Sequence, residues 1–423
     1  MLASRFLADA RHLVTGTLFG QLIGLGASPI LTRIFSPNDF GIFSTLFAAA
    51  MFMAAFGALR LEDLIPALPV SLEALRLVQF IIALSVANAV LVLFVILFLG
   101  DDLAPLLSIP ESGTAVLLML PVLIIAFGTY SGVRAWAVRQ ARYADVGRAQ
   151  IFRAVIMVGV PIVIGITGLV RLPGCTLALG QALGFFAFVG LLLQGFNERE
   201  LRILATPSWR KIKYALNANA GLVRATALAQ IIAAVHGRLT ILVIASVYGT
   251  TEAGFYALAE RIADAPATLI SRAIGDVYRQ RAAKAHREGK SFLSLFRNVA
   301  ILAFVLSATA YSTAYLIVPP HMGLIFGSGW DNSAFTMSVL LISTGFSFWT
   351  TALDNTAIIV GARGYIVLWQ SLRLAIEGGA ALAAMSGALS YETYLVWLVV
   401  GRVLLFVSDI VAMHEFSRLG RGF

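Results

Sequence analysis

The sequence predicts an all-α membrane protein with about twelve transmembrane helices in two related halves. The chain of 423 residues is 59% hydrophobic and only 13% charged, whereas soluble proteins are about half apolar and about a quarter charged. Its apolar runs match helices that cross about 30 Å of hydrocarbon, not the roughly ten-residue strands of a membrane barrel. A short segment near residue 40 also recurs near residue 250.

The apolar segments divide the chain into twelve predicted spans. They cover residues 12–32, 40–59, 77–99, 114–134, 149–170, 175–195, 215–237, 252–275, 296–318, 334–360, 364–387 and 391–413. The basic connection 197–213 is predicted to be a cytoplasmic linker between an N-terminal lobe, residues 1–196, and a C-terminal lobe, residues 214–423. Two pseudo-symmetric six-helix lobes are a common design among secondary transporters.

The recurring segment supports the two-lobe interpretation. Residues 35–43 read FSPNDFGIF and residues 248–256 read YGTTEAGFY, so aromatic, acidic and glycine positions fall in register. Turns favour Gly, Pro, Asp and Asn in any protein, which makes coincidence the alternative. The apolar segments on both sides of each copy favour a true repeat.

The distribution of positive charge predicts the orientation of the chain. Of the 31 Lys and Arg residues, 22 lie at the termini or in connections on one predicted face. Basic residues collect on the cytoplasmic side, so both termini are expected in the cytoplasm. The net charge of +9 is therefore an orientation signal, and nucleic acid is not expected as a partner. The single cysteine, Cys175, excludes an internal disulfide.

Two predicted spans carry arginine near the bilayer midplane. Arg224 and Arg261 each lie about 13 Å from the nearer end of their span. Polar residues share a face with each of them: Asn217 and Arg238 in span seven, and Asp264, Arg272 and Asp276 in span eight. Pro266 is expected to interrupt span eight. These arginines either pair with acids such as Asp264 to hold helices together, or face a wet cationic cleft between the lobes.

Other polar positions inside the spans favour structural roles. Arg373 and Glu377 are four residues apart and can pair, and Arg402 and Asp409 share a face of span twelve. In span one, small residues at 16, 20 and 24 allow a close helix contact, with Gln21 on an adjoining face. Simple packing is the favoured explanation there, and a moving gate helix is the alternative.

Deep arginine side chains suit an anionic substrate, because guanidinium groups match phosphate oxygens and stay charged. A lipid phosphate with a sugar head group needs a polar route across the bilayer while its tail stays in hydrocarbon. A cationic cleft between two lobes could provide that route.

Several segments resemble the polysaccharide-transport flippase family of the multidrug/oligosaccharidyl-lipid/polysaccharide exporter superfamily. They are residues 31–41, LTRIFSPNDFG; residues 59–62, LRLE, with Ile65 and 68–69, LP; residues 253–261, AGFYALAER, with Pro266; and residues 326–330, FGSGW. The likeness covers nearly the whole chain, and the order and spacing of the segments make it specific.

The resemblance implies a V-shaped pair of six-helix lobes that alternates access, with spans one, two, seven and eight lining the cleft. It implies transport of undecaprenyl-diphosphate-linked oligosaccharide from the cytoplasmic to the periplasmic leaflet of the bacterial inner membrane, for O-antigen, capsule or exopolysaccharide. A polysaccharide polymerase and a chain-length regulator are the expected partners. The resemblance also makes Arg60 and Glu62 candidate mouth residues, although Leu61 replaces the family's usual aromatic.

In the expected mechanism, the arginines bind the diphosphate one after another. Arg60 and Arg272 would attract the diphosphate, and Arg224 and Arg261 would hold it near the midplane. Asp264 and Asp276 would carry a coupling proton or neutralise arginine, and coupling to a proton or to sodium stays open. No cofactor or metal is expected.

Three other functions are alternatives to a polysaccharide flippase. A cation-coupled multidrug exporter would need deep acids without arginine, and a lipid II flippase typically has fourteen spans. A membrane-bound polysaccharide polymerase or ligase usually has a large outer loop, whereas the outer connections here are short. The sequence therefore favours a transporter over an enzyme.

Overall fold

The computed structural model describes residues 15–58, 61–68, 70–109, 113–168, 172–206, 208–218 and 237–418. Every regular element in these ranges is helical, which confirms the predicted all-α class. The chain forms two compact units, Met1–Gly254 and Phe255–Phe423.

The helices of the first unit follow the predicted spans closely. They are α1 (15–26), α2 (Ser28–Ile34), α3 (Pro37–Ala58), α4 (Ser71–Leu106), α5 (Gly113–Leu117), α6 (Met119–Arg139), α7 (Tyr143–Thr167), α8 (Pro173–Leu193), α9 (Glu198–Ala205), α10 (Trp209–Ala218) and α11 (Gly237–Tyr248). Short 3₁₀ turns at Leu61–Asp63 and Ile65–Ala67 connect α3 to α4.

The second unit begins within the next helix, α12 (Thr250–Pro266). A π-helical turn, Ala267–Ser271, follows it, and then α13 (Arg272–Arg287), α14 (Leu293–Ile317), α15 (Met322–Phe326), α16 (Ala334–Thr351), α17 (Asn355–Val360), α18 (Arg363–Met385) and α19 (Tyr391–Arg418). The interruption expected at Pro266 is confirmed, because α12 ends there. Proline has no N–H to continue the hydrogen-bond ladder, and π turns relieve that mismatch.

Eight helical segments in the described ranges are long and apolar enough to cross a membrane. They coincide with predicted spans three to six and nine to twelve. The helices α3 and α12 occupy predicted spans two and eight. Most of predicted span seven lies outside the described residues. The short apolar helix α11, Gly237–Tyr248, begins at its predicted end and leads to the turn at Gly249.

Two apolar clusters form the core of the first unit. One surrounds Trp136 and Phe188 near the 3₁₀ turns, and the other surrounds Leu46, Leu123 and Phe185. The helices α4, α6, α7 and α8 pack against one another around them. The small-residue face of α1 packs closely on α7, since a Cβ at Gly16 would lie 2.3 Å from the Gly147 Cα atom. The smooth face of α1 is thus in contact with another helix in this structure.

The predicted linker consists of two helices that dock on α4. The buried Arg76 donates to the Thr206 carbonyl at 3.3 Å, and Gln79 donates to the Ile203 carbonyl at 2.7 Å. Asn197 caps α9 in a reciprocal arrangement with Glu200. The segment is therefore ordered by hydrogen bonds to α4.

Candidate functional site

The polar face of α12 is the centre of the candidate site. Arg261 is half-buried and Asp264 is exposed, whereas Ala263 and Ala265 on either side of Asp264 are buried. A charge that faces hydrocarbon at mid-span costs about 2.5–3.5 kcal/mol even on lenient scales. The Asp264 carboxylate lies in the middle of the predicted span, so its charge requires a polar or positively charged partner there.

Three guanidinium groups lie within electrostatic range of Asp264. They belong to Arg272, which follows the π turn, to Arg373 on α18 and to Arg402 on α19. Arg272 is exposed and Arg373 is half-buried. The side chains thus bring positive charge from three parts of the second unit to one carboxylate.

The buried ion pair of this cluster joins α18 to α19. Arg402 Nη2 lies 2.8 Å from Glu377 Oε1, and Arg402 Nε donates to the same oxygen at 2.9 Å. The Glu377 side chain is only 1% exposed and that of Arg402 is 14% exposed. Arg402 also interacts with Tyr256 of α12, whose hydroxyl lies 3.4 Å from Glu260.

This geometry corrects the pairing suggested by sequence spacing. Glu377 was expected to pair with Arg373 within α18, but its ion pair crosses to Arg402 on the next helix. Arg373 instead stacks over Trp369, with the guanidinium carbon 5.3 Å from the ring centroid. A cross-helix partner is favoured because it satisfies a deep charge on each of two packed helices.

A second polar group lies beside this cluster. The Tyr365 hydroxyl donates to Asp409, which is 3% exposed, and Asp354 lies within electrostatic range of Asp409 and Arg373. Arg402 and Asp409, which were predicted to share a face, therefore have different partners: Glu377 and Tyr365. Sequence spacing indicated neither Asp354 nor Tyr365, because both reach the cluster through tertiary packing.

Two more predicted site residues, Asp276 and Glu62, lie in the described ranges. Asp276 is exposed and pairs with Arg279 on its own helix at 3.5 Å. Glu62 is half-buried in the first 3₁₀ turn. Arg60 and Arg224 lie outside the residues that the structure describes.

The remaining predicted positions belong to the first unit. Asn217 is exposed at the end of α10. Arg238 is half-buried, and its guanidinium carbon lies 5.6 Å from the centroid of the Phe47 ring of α3. Gln21 has a buried side-chain oxygen with no hydrogen-bond partner among the described residues. A buried polar atom without a partner is costly, so this position on α1 is a candidate for a contact with water or a ligand.

The two copies of the recurring segment meet in space. A Cβ at Gly41 would lie 1.6 Å from the Thr250 carbonyl oxygen, and a Cβ at Gly254 would lie 1.9 Å from the Pro37 carbonyl oxygen. The Thr250 hydroxyl also bonds the side chain of Asn38. Pro37 and Thr250 are equivalent positions in the two copies, so each glycine contacts the same position of the other copy. This is the pattern of a local two-fold contact between the first turns of α3 and α12.

Side-chain hydrogen bonds cap the first turn of α3, which takes part in this contact. The Ser36 N–H donates to Asp39 at 2.9 Å, and the Ser36 hydroxyl donates to the same carboxylate oxygen at 2.7 Å. These bonds satisfy groups at the helix start. In the second copy, Gly249 has φ +102° and closes α11 through its N–H to the Ile244 carbonyl.

No group of three His, Cys, Asp or Glu side chains in the described ranges could hold a metal ion. The chemistry available at the α12 face is therefore that of guanidinium, carboxylate and phenol groups. Such a face can bind and release an anion, and it can exchange one negative partner for another.

Comparison with protein families decides which group this chain belongs to. Residues 30–335 match a family described as polysaccharide biosynthesis protein. The chain belongs to this family. The match covers most of the chain and confirms the resemblance drawn from its sequence segments. No curated protein is a significant match to the sequence.

Solved structures show the same fold at low sequence identity. The lipid II flippase MurJ in an inward closed conformation has a TM-score of 0.67 and 11% identity, over 96% of this chain and 90% of that one. An inward-facing multidrug resistance MATE family transporter of the MOP superfamily has a TM-score of 0.56 and 14% identity, over 97% of this chain and 95% of that one. A point mutant of the Vibrio cholerae MATE transporter VcmN has a TM-score of 0.55 and 16% identity, over 98% of this chain and 96% of that one.

These similarities establish the fold of a MOP-superfamily transporter. The proteins that share it are named as transporters or flippases. The fold and the eight long apolar helices in the described ranges agree with a multi-pass membrane protein.

Proposed function

We propose that this protein flips undecaprenyl-diphosphate-linked oligosaccharide from the cytoplasmic to the periplasmic leaflet of the bacterial inner membrane, with both termini in the cytoplasm. The observation that carries the proposal is the exposed Asp264 on a mid-span helix, with three guanidinium groups in electrostatic range. Membership of a polysaccharide biosynthesis family favours a glycan cargo. The product would pass to a polysaccharide polymerase and a chain-length regulator.

The charges support an exchange of counter-ions during binding. Without substrate, Asp264 offsets part of the positive charge of Arg272, Arg373 and Arg402. A diphosphate carries more negative charge and more acceptor oxygens than one carboxylate, so it competes for the same groups. Arg261, on the same face of α12, adds another donor. From the sequence, we also propose that Arg60 and Arg224 contact the diphosphate during transport.

Coupling would act at the same carboxylate. A proton on Asp264 would remove its competition with the diphosphate, and a sodium ion beside it would have the same effect. Either ion would therefore favour substrate binding in one state of the cycle and release in the other. Alternating access would then expose the site to each leaflet in turn.

The first test is transport by arginine variants in a flippase-null strain and in reconstituted vesicles. Replacing Arg261 or Arg224 with Ala should abolish surface glycan, since losing one charge-assisted contact of about 1.5–3 kcal/mol lowers binding about 10- to 150-fold. Arg418→Ala is the matched control, because Arg418 is an exposed arginine paired with Glu415. The cationic site is wrong if both variants restore glycan at parental expression.

The second test separates the possible cargoes. Vesicles with the purified protein should flip a prenyl-diphosphate oligosaccharide and should not accumulate a cationic drug. Faster flipping of lipid II than of the oligosaccharide would identify a lipid II flippase instead. Growth of the glycan chain by the purified protein would contradict the transporter assignment.

A further inference from the structure

A groove lies between α14 and α16 on the second unit. It has a volume of about 520 Å³ and is lined by Phe304, Ala308, Ser312 and Tyr315 of α14 together with Ile342 and Phe346 of α16. This volume is within the range of pockets that hold small organic ligands, about 300–1,000 Å³. The groove is separate from the charged face of α12 described above.

The wall of the groove is mostly carbon, and several of its polar groups bond to the protein. The Ser307 hydroxyl donates to the Gly345 carbonyl at 2.6 Å, and Trp349 Nε1 donates to the Ala300 carbonyl at 3.0 Å. The Phe304 and Trp349 rings meet edge to face, with centroids 5.1 Å apart. A satisfied polar group adds no affinity for water, so the groove favours an apolar occupant.

The groove opens on a surface that is suited to hydrocarbon. Phe304 is 50% exposed and Leu316 is 72% exposed. The helix α14 is part of a segment long and apolar enough to cross a membrane, and most of that segment's surface is not covered by the protein. An aliphatic chain can therefore enter the groove from the bilayer without passing through water.

One side chain joins the groove to the charged face. Tyr311 lines the groove, donates its hydroxyl hydrogen to the Ala263 carbonyl at 2.9 Å and lies within electrostatic range of Asp264. The Ser271 hydroxyl, at the end of the π turn, donates to the Phe348 carbonyl at 2.7 Å, beside Trp349 of the groove. Only one layer of side chains therefore separates the apolar groove from the polar face of α12.

From this juxtaposition we propose that the groove between α14 and α16 holds the prenyl chain of the lipid-linked substrate while the diphosphate is bound at α12. The inference rests on the proposed function. A phospholipid keeps its head group at the membrane interface, so its chains have no need to start at mid-depth. A lipid whose diphosphate is drawn to Asp264 and its arginines must have its chain begin at that level, where Tyr311 meets the groove.

The first experiment narrows the groove with an added side chain. Ala308 and Ala310 are both exposed on α14, but only Ala308 lines the groove. Ala308→Phe should reduce flipping of the long-chain substrate about tenfold, the effect of losing roughly two buried methylene contacts. Ala310→Phe should flip it at the parental rate. Both variants should flip an analogue with a short, water-soluble prenyl chain normally, because its diphosphate still binds at α12.

The outcomes separate this inference from the proposed function. Equal flipping of the long-chain substrate by both variants would overturn the groove assignment while leaving the flippase intact. Failure of the parental protein to flip either substrate would contradict the proposed function. If Ala308→Phe is not recovered in the membrane, Ser312→Phe tests the same wall from one helical turn further along.

The second experiment does not require transport. A prenyl diphosphate with a photoreactive group midway along its chain should label peptides containing residues 304–316 or 341–349 in the parental protein, and Ala308→Phe should reduce that labelling. Excess unlabelled prenyl diphosphate should prevent labelling, and a phospholipid at the same concentration should not. Equal competition by phospholipid would show that the groove holds bulk bilayer lipid, and labelling confined to other helices would also refute the proposal.

Discussion

The contact between the two copies of the recurring segment gives a prediction with a magnitude. In Gly41→Ala, the new Cβ would lie 1.6 Å from the Thr250 carbonyl oxygen, whereas real Cβ atoms essentially never come closer than 3.0 Å to such an atom. The first turns of α3 and α12 must therefore move apart by about 1.4 Å, the difference between these distances. Forcing an extra methyl group into a close-packed contact costs about 1–3 kcal/mol.

That cost changes the balance between states in which the helix starts touch and states in which they are apart. A penalty of about 1–3 kcal/mol lowers the touching population about 5- to 150-fold relative to the separated one. Alternating access, as proposed above, needs both states, so Gly41→Ala should also slow transport. Gly254→Ala should act in the same direction, since its Cβ would lie 1.9 Å from the Pro37 carbonyl oxygen.

The assay is a distance measurement by spin labels. With Cys175, the only cysteine, replaced by Ser, labels at Arg33→Cys and Thr251→Cys report the separation of α2 from α12. Gly41→Ala should broaden the distribution toward longer distances. Gly159→Ala is the matched control, because nothing lies within 4 Å of the added Cβ atom. A Gly41→Ala distribution that superimposes on that of the parental protein would refute the close glycine contact.

Two further predictions concern the second unit and the topology. Glu377→Gln should destabilise the protein by about 3–5 kcal/mol, because it leaves the Arg402 charge buried without its carboxylate. Thermal unfolding in detergent measures this loss. The control is Glu415→Gln, in an exposed pair with Arg418, which should shift the Tm by far less. Reporter fusions after each predicted span should give twelve crossings with both termini in the cytoplasm, and a fourteen-span pattern or an external terminus would contradict the predicted orientation.

Helical periodicity and hydropathy were sufficient to predict the class of fold, because a spanning helix satisfies its backbone hydrogen bonds within one continuous segment. The match of predicted spans three to six and nine to twelve to long apolar helices follows from this.

The recurring segment could also be recognised from the sequence, but the contact between its two copies could not be predicted. Glycine positions in register predicted related turns, and only the fold placed Gly41 against Thr250 and Gly254 against Pro37. Chain spacing fixes which residues are equivalent. It does not determine which equivalent residues touch, since that depends on how distant helices pack.

By itself, the sequence determined that this is a helical membrane protein, where most of its helices lie, and that charged groups sit deep within them. The tertiary structure alone decided how those charges are partnered: Glu377 with Arg402 rather than with Arg373, and Asp264 within range of arginines from α13, α18 and α19. The physical reason is that a charge in a low-dielectric interior is stabilised by whichever opposite charge lies nearest in space. Residues far apart in the chain become such neighbours only when the helices have packed.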